Sequence, residues 1–145
     1  IDFDEAGARD LRSLMIDSEI RGNFDEGVDY DEEGAGHILA SYLRATGTGN
    51  ADDAFKHSEA DAGGVVGAMT ASIATANGGK GAVFEEEGDG DVTVTVTSTI
   101  TGNNDDGDDT GLELVQEDAG SGAATVTGST LADGIDAEGV TVTRD

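Results

Sequence analysis

A chain with 32 acidic residues against seven basic ones must fold around a net charge of −25 in 145 positions, and that load constrains it more than any other feature. The acids recur from Asp2 to Asp145 rather than forming one tail, and only two lysines, Lys56 and Lys80, stand among the bases. Such a surface repels itself at low salt. At molar salt the Debye length shrinks to about 3 Å and the repulsion is screened. The sequence reads as that of an extreme halophile, whose surface carboxylates hold water and cations. The apolar side is thin: 36% of residues are hydrophobic, many of them Ala or Val, and 4% are aromatic. A chain of this size buries about 68–70% of its unfolded surface. The expected core is modest, with assembly or salt contributing to stability.

The same composition excludes several classes. Nucleic-acid binding needs a basic face, and an anionic membrane surface is disfavoured for the same reason. The chain has no cysteine, hence no disulfide or thiolate chemistry. The longest weakly polar run, 62–77, contains Thr70, Ser72 and Thr75 and is too short and polar to span a bilayer. The first residue is Ile1; either an initiator Met precedes it or the N-terminus is made by processing, as removal of a signal or propeptide would do.

The pattern changes near Gly79. Before it, Ala8, Leu11, Leu14 and Met15 share a helical face behind Asp2, Asp4 and Glu5, predicting a helix over 4–19. Segments 28–45 and 65–76 fit either a helix or a buried strand. After Gly79 the signal is β. Val92, Val94, Val96, Ser98 and Ile100 alternate with Thr93, Thr95, Thr97, Thr99 and Thr101, predicting a ten-residue strand with one apolar and one hydroxyl face. Shorter strands are expected at 82–86, 112–116, 123–127 and 140–143, with Gly and Asp clusters as turns. The expected fold class is α+β, predominantly β in the C-terminal half: a compact β-sandwich or barrel with one or more short helices in the N-terminal half. The domain reading is an N-terminal part, 1–79, and an antiparallel β part, 80–145, within one structural unit.

Catalytic groups are sparse. His37 lies in an apolar run and reads as structural. His57, Glu59 and Asp61 alternate on one strand face and could bind a divalent metal, but acids this dense meet by chance. Gly78-Gly79-Lys80-Gly81 lacks the first glycine and the hydroxyl of a phosphate loop, with Ala74 and Gly81 in their places. The best metal candidate is the run from Asp106 to Glu117. Asp106, Asp108 and Thr110 fall at positions 1, 3 and 5, with Gly111 at 6 and Glu117 at 12, close to a calcium-binding loop. Oxygens on alternate residues converge, the glycine permits a sharp turn and the distal carboxylate closes the shell. Glu113 departs from the pattern at position 8, and the flanks read as strands. The competing reading is an acidic β-turn; a bound Ca2+ or other cation would be structural. No enzyme active site is expected.

Three stretches resemble the head-decoration proteins of tailed viruses, of the lambda type: Gly36-His-Ile-Leu-Ala-Ser-Tyr-Leu-Arg-Ala-Thr-Gly47, Ser58-Glu-Ala-Asp-Ala-Gly-Gly-Val-Val-Gly-Ala68 and Asn77-Gly-Gly-Lys-Gly-Ala-Val-Phe-Glu85. The resemblance covers residues 36–85 and lacks the family's usual prolines. It implies a β-rich subunit, often trimeric, that staples the major capsid protein lattice. The expected role is thus a virion structural protein of a haloarchaeal virus, a capsid decoration subunit whose partners are copies of itself and the capsid, with no nucleic acid and no membrane. The alternatives are an extracellular or cell-surface filament subunit of a haloarchaeon, joined by strand addition, and a calcium-binding β module.

Overall fold

The computed structural model describes residues 1–102 and 110–145. Among these there is no helix. The chain winds as a β-solenoid in which each turn contributes one strand to each of three sheets. The first turn is β1 (Asp2–Glu5), β2 (Leu11–Ile16) and β3 (Glu19–Arg21); the second is β4 (Val28–Glu32), β5 (His37–Leu43) and β6 (Thr46–Thr48). The third is β7 (Phe55–Glu59), β8 (Gly64–Thr70) and β9 (Ile73–Thr75); the fourth is β10 (Ala82–Glu86), β11 (Val92–Thr97) and β12 (Ile100–Gly102). The fifth is β13 (Leu112–Gln116), β14 (Gly122–Thr127) and β15 (Thr130–Leu131), followed by β16 (Ile135–Glu138) and β17 (Val140–Arg144). Sheet A runs β1-β4-β7-β10-β13-β16, sheet B β2-β5-β8-β11-β14-β17 and sheet C β3-β6-β9-β12-β15. Every pairing is parallel, joining each strand to its counterpart one turn on.

The advance per turn is 27 residues through the first four turns, as in Asp2↔Asp29 and Tyr30↔His57. It becomes 30 at Ala82↔Leu112. Successive turns therefore place like positions on top of each other, about 4.8 Å apart.

This architecture corrects the α+β sandwich or barrel expected from the sequence. The segment read as a helix over 4–19 is two strands and a corner. Leu11 and Met15 point inward, whereas Leu14, counted on the same helical face, points outward and is 67% exposed. Apolar residues on both sides of β2 had hidden its period of two. The C-terminal half is parallel, not antiparallel. The strands expected there are present, but the ten-residue valine-threonine strand is two: β11 ends at Thr97, the chain turns at Ser98, and parity inverts so that Ile100 is exposed and Thr101 buried.

The core is a set of side-chain columns. Sheet B contributes Ile38, Val65 and Val92, and then Tyr42, Met69, Val96 and Val126. Sheet A contributes Tyr30, His57, Phe84 and Leu114, with His57 stacked flat on Phe84 at 4.5 Å. Phe84 occupies the space left by Gly67 across the interior, where a Cβ would collide with its ring. Asparagines form a further column between sheets C and A. Asn23 Nδ2 donates to Asn50 Oδ1 at 2.8 Å and Asn50 Nδ2 to Asn77 Oδ1 at 2.9 Å. Each amide thus fills the acceptor of the next turn, which lets a buried polar group cost little.

The corners set the tightest sequence constraints. Between sheets A and B, a Cβ on Gly63 would strike the Gly36 carbonyl, one on Gly90 the Gly63 carbonyl, and one on Gly120 the Gly90 carbonyl. Backbone lies on backbone there, so only glycine fits. The corner between sheets B and C takes one left-handed residue per turn: Asp17, Arg44, Ala71, Ser98 and Gly128. Ala76, at φ 57, holds the position that Gly22 and Gly49 hold in the turns before it.

Two substitutions separate these constraints. Gly90→Ala forces the corner apart and is expected to cost about 3 kcal/mol, as overpacking does. Ala76→Gly relieves left-handed strain and is expected to gain roughly 0.5 kcal/mol after the entropy of glycine is counted. Thermal unfolding checks both: Tm falls for the first and rises by about 2 °C for the second.

Candidate functional site

Chemistry-bearing side chains concentrate at the inner side of the A–B corner. The last inward position of sheet A holds Glu5, Glu32, Glu59, Glu86 and Gln116 in successive turns. Glu32, Glu59 and Glu86 are fully buried and Gln116 nearly so. Each carboxylate folds back over the glycine corner that follows it. Gly7 N–H donates to Glu5 Oε2 at 2.9 Å, Gly34 N–H to Glu32 Oε1 at 3.1 Å and Gly88 N–H to Glu86 Oε1 at 2.6 Å. Glu59 Oε1 accepts from both Asp61 and Gly63 N–H. The glutamates therefore tie the corners that glycine makes possible.

One oxygen per residue is left facing along the column. No backbone or amide donor reaches Glu32 Oε2 or Glu59 Oε2. In the fifth turn the problem is solved by an amide: Gln116 Nε2 donates to Glu86 Oε2 at 3.2 Å. Glu59 is stacked in register between Glu32 and Glu86, and two carboxyl oxygens can bond only by sharing a proton. Neighbouring carboxylates about 4.8 Å apart would repel by roughly 3.5 kcal/mol at an effective dielectric of about 20. Protonation removes the repulsion and supplies the missing donor. Burial, reinforced by hydrogen bonding to its carboxyl neighbours, pushes Glu59 up to about 8. Burial likewise raises Glu32.

Above the ladder, His57 is fully buried. Its Nδ1–H donates to the Val83 carbonyl at 2.7 Å, which leaves Nε2 to accept from the Tyr42 hydroxyl at 2.6 Å. Desolvation lowers His57 to about 4, so it is neutral, and both ring nitrogens are occupied. His57 and Glu59 do share a strand face, as their spacing implied, but that face is the interior; β7 ends at Glu59, before Asp61. His37 is exposed and lines an open cleft of about 370 Å³ with Asp89, Asp91 and Thr93.

Of the calcium-loop residues, Asp106 and Asp108 lie outside the described residues. Thr110 precedes β13 and Glu117 follows it, so an extended strand of five residues separates them by about 20 Å. Glu117 instead lines a shallow acidic cleft of about 200 Å³ on the outer face of sheet A, with Glu85, Glu113, Asp136 and Glu138. A group that the sequence did not single out is Asp25, Glu26 and Asp52, whose carboxylate oxygens lie within 4.8 Å of each other and could hold a cation. Asp25 and Asp52 are one 27-residue turn apart, and an alignment of the turns would have found them. The same alignment would have found the glutamate column.

The sign of the pH response follows from the raised carboxyls. Glu59 binds its proton more tightly folded than unfolded, so its contribution is complete below about 4.5 and is lost as pH rises through about 8. Asp31, Asp53 and Glu85, all raised mainly by burial, act in the same direction. The opposite sense belongs to Asp17 and Asp91, lowered by hydrogen bonds from Arg44 and Ser121, and it operates only below their ordinary value of 3.8. At fixed high salt, Tm is expected to fall between pH 5 and 9, by roughly 5 °C for Glu59 alone. Glu59→Gln keeps the shape, as Gln116 shows, and is expected to flatten the slope and raise Tm at pH 9. A slope unchanged in the variant would contradict a shared proton at this position.

Comparison of the chain with protein-family models, with curated proteins and with solved structures finds no match, which leaves the geometry above as the basis for a functional reading.

Proposed function

We propose that the chain is a non-catalytic structural subunit working in high salt, with decoration of a haloarchaeal virus head as its setting. One observation carries the structural reading: His57, the asparagine column and the corner-facing oxygens of the buried glutamates are taken up by their own neighbours. His57 is held at both nitrogens, the asparagines bond each other, and the glutamates bond the glycine corners. A stack of this kind resists local opening, because each turn is held on two sides. The high-salt setting rests on the outward acids. Sheet A alone presents Asp2, Asp4, Asp29, Asp31, Glu85, Glu113, Asp136 and Glu138. Both lysines are spent within that array, Lys56 on Asp29 at 3.1 Å and Lys80 on Glu113 at 2.8 Å. The capsid setting is supported by the resemblance of residues 36–85, which lie in the second to fourth turns as one contiguous stack.

A second reading, a filament subunit joined by strand addition, draws on the first turn. Its strands pair on one side only, and Ile1, Phe3, Leu14, Ile16 and Phe24 there are exposed. Unpaired strand edges are templates for another chain.

A salt titration tests the common core of these readings. Circular dichroism is expected to show cooperative β structure above about 1 M salt and its loss near 0.1 M, where the Debye length reaches about 10 Å. An unchanged spectrum and Tm at low salt would contradict the high-salt reading. Co-sedimentation with capsid shells separates the settings: binding favours decoration, and salt-dependent fibres without capsid binding favour the filament.

A further inference from the structure

We infer that the outer face of sheet B is a self-association surface, on which a second copy of this chain packs face to face. The inference rests on the structural-subunit reading and names the partner for it. Its ground is the uneven placement of charge. Sheet A carries eight acids on its outer face, as above. Among the described residues, no acid occupies an outward position in β2, β5, β8, β11, β14 or β17. The central column of that face reads Leu14, Ser41, Ala68, Thr95, Thr125 and Thr143, each directly above the last. In a chain that is more than one-fifth Asp and Glu, a wide sheet face free of them is a place where two copies meet without repulsion. Exposed Val66, Leu14 and Ile16 on the same face supply apolar area.

The geometry suits a copy of itself. Parallel in-register strands make a flat, regular surface, and such faces pack about 10 Å apart. Six strands of about six residues present roughly 30 by 20 Å, or about 600 Å². Two such faces bury about 1,200 Å² together, the lower bound for a specific interface. The contact is therefore weak and grows with salt, which strengthens apolar burial and screens the acids outside the patch. A sheet C interface is the poorer choice, since its strands hold two or three residues each.

Sedimentation of the whole chain at 0.5 and 3 M salt is the test, with Thr95→Asp, Ala68→Asp and, as a control of equal charge, Ala119→Asp in an exposed corner. The native chain and the control are expected to form a dimer that tightens on the order of ten-fold between the two salts. Both sheet B variants are expected to remain folded monomers, the fold being checked by circular dichroism. A second arm uses the absence of native cysteine: Thr95→Cys is expected to yield a covalent dimer on mild oxidation and Asp31→Cys to yield none. If the sheet B variants associate as the native chain does, or Thr95→Cys fails to cross-link while the native chain dimerises, the inference is overturned and the structural-subunit reading stands. A native chain that stays monomeric and folded at both salts, and ignores capsids, overturns both.

Discussion

Vertical repetition is the constraint on which this molecule depends. A parallel in-register stack puts each side chain about 4.8 Å from its counterpart in the next turn. Like must therefore tolerate like. Apolar columns do so without cost, and the asparagine column does so because an amide carries both donor and acceptor. A column of carboxyls is different. Ionised, Glu32, Glu59 and Glu86 would each sit beside a copy of the same charge in a buried corner. A proton on Glu59, whose carboxyl is raised by burial, would convert that column from a liability into a ladder of the amide kind, and Gln116 marks where the chain replaces the carboxyl by an amide outright.

The acids outside obey a second rule. On sheet A they stand in vertical rows, broken by Lys56 and Ser58 in the third turn and by Val83 and Val115 in the next two. On sheet B the outward positions carry no acid; they are hydroxyl, alanine or aliphatic apart from Arg12 and His37. This division has the same origin as the inner columns: a solenoid keeps each face's composition constant over many turns, so an interaction surface and a repelling surface can coexist on a narrow molecule. The total absence of proline fits as well, since strands paired on both sides have no place for a residue without an N–H.

Much of the strand content was legible in the sequence. The segments 82–86 and 112–116 are β10 and β13, and Val92–Thr97 has its valines in and threonines out. The arrangement was not legible from local pattern alone. Strand periodicity does not distinguish parallel from antiparallel pairing, and apolar residues on both sides of β2 mimicked a helical stripe. The informative signal was longer, a 27-residue recurrence visible in Tyr30-Asp31-Glu32 against His57-Ser58-Glu59 and in Asn23, Asn50 and Asn77. It is masked because the recurring residues are similar in role rather than identity, and because the advance lengthens between Gly102 and Leu112. The buried glutamates were hidden for a simpler reason. Among 32 acids, Glu5, Glu32, Glu59 and Glu86 carry no local mark of their inward position; only their shared place in the turn sets them apart.

The central claim, that the carboxyl column is held together by protons, has a direct readout in the infrared absorption of protonated carboxyl groups. In native protein at pH 7 and high salt, the account predicts a protonated-carboxyl band that resists exchange with D2O, disappears on unfolding, and is diminished in Glu59→Gln. A native spectrum at pH 7 with every glutamate ionised would contradict it.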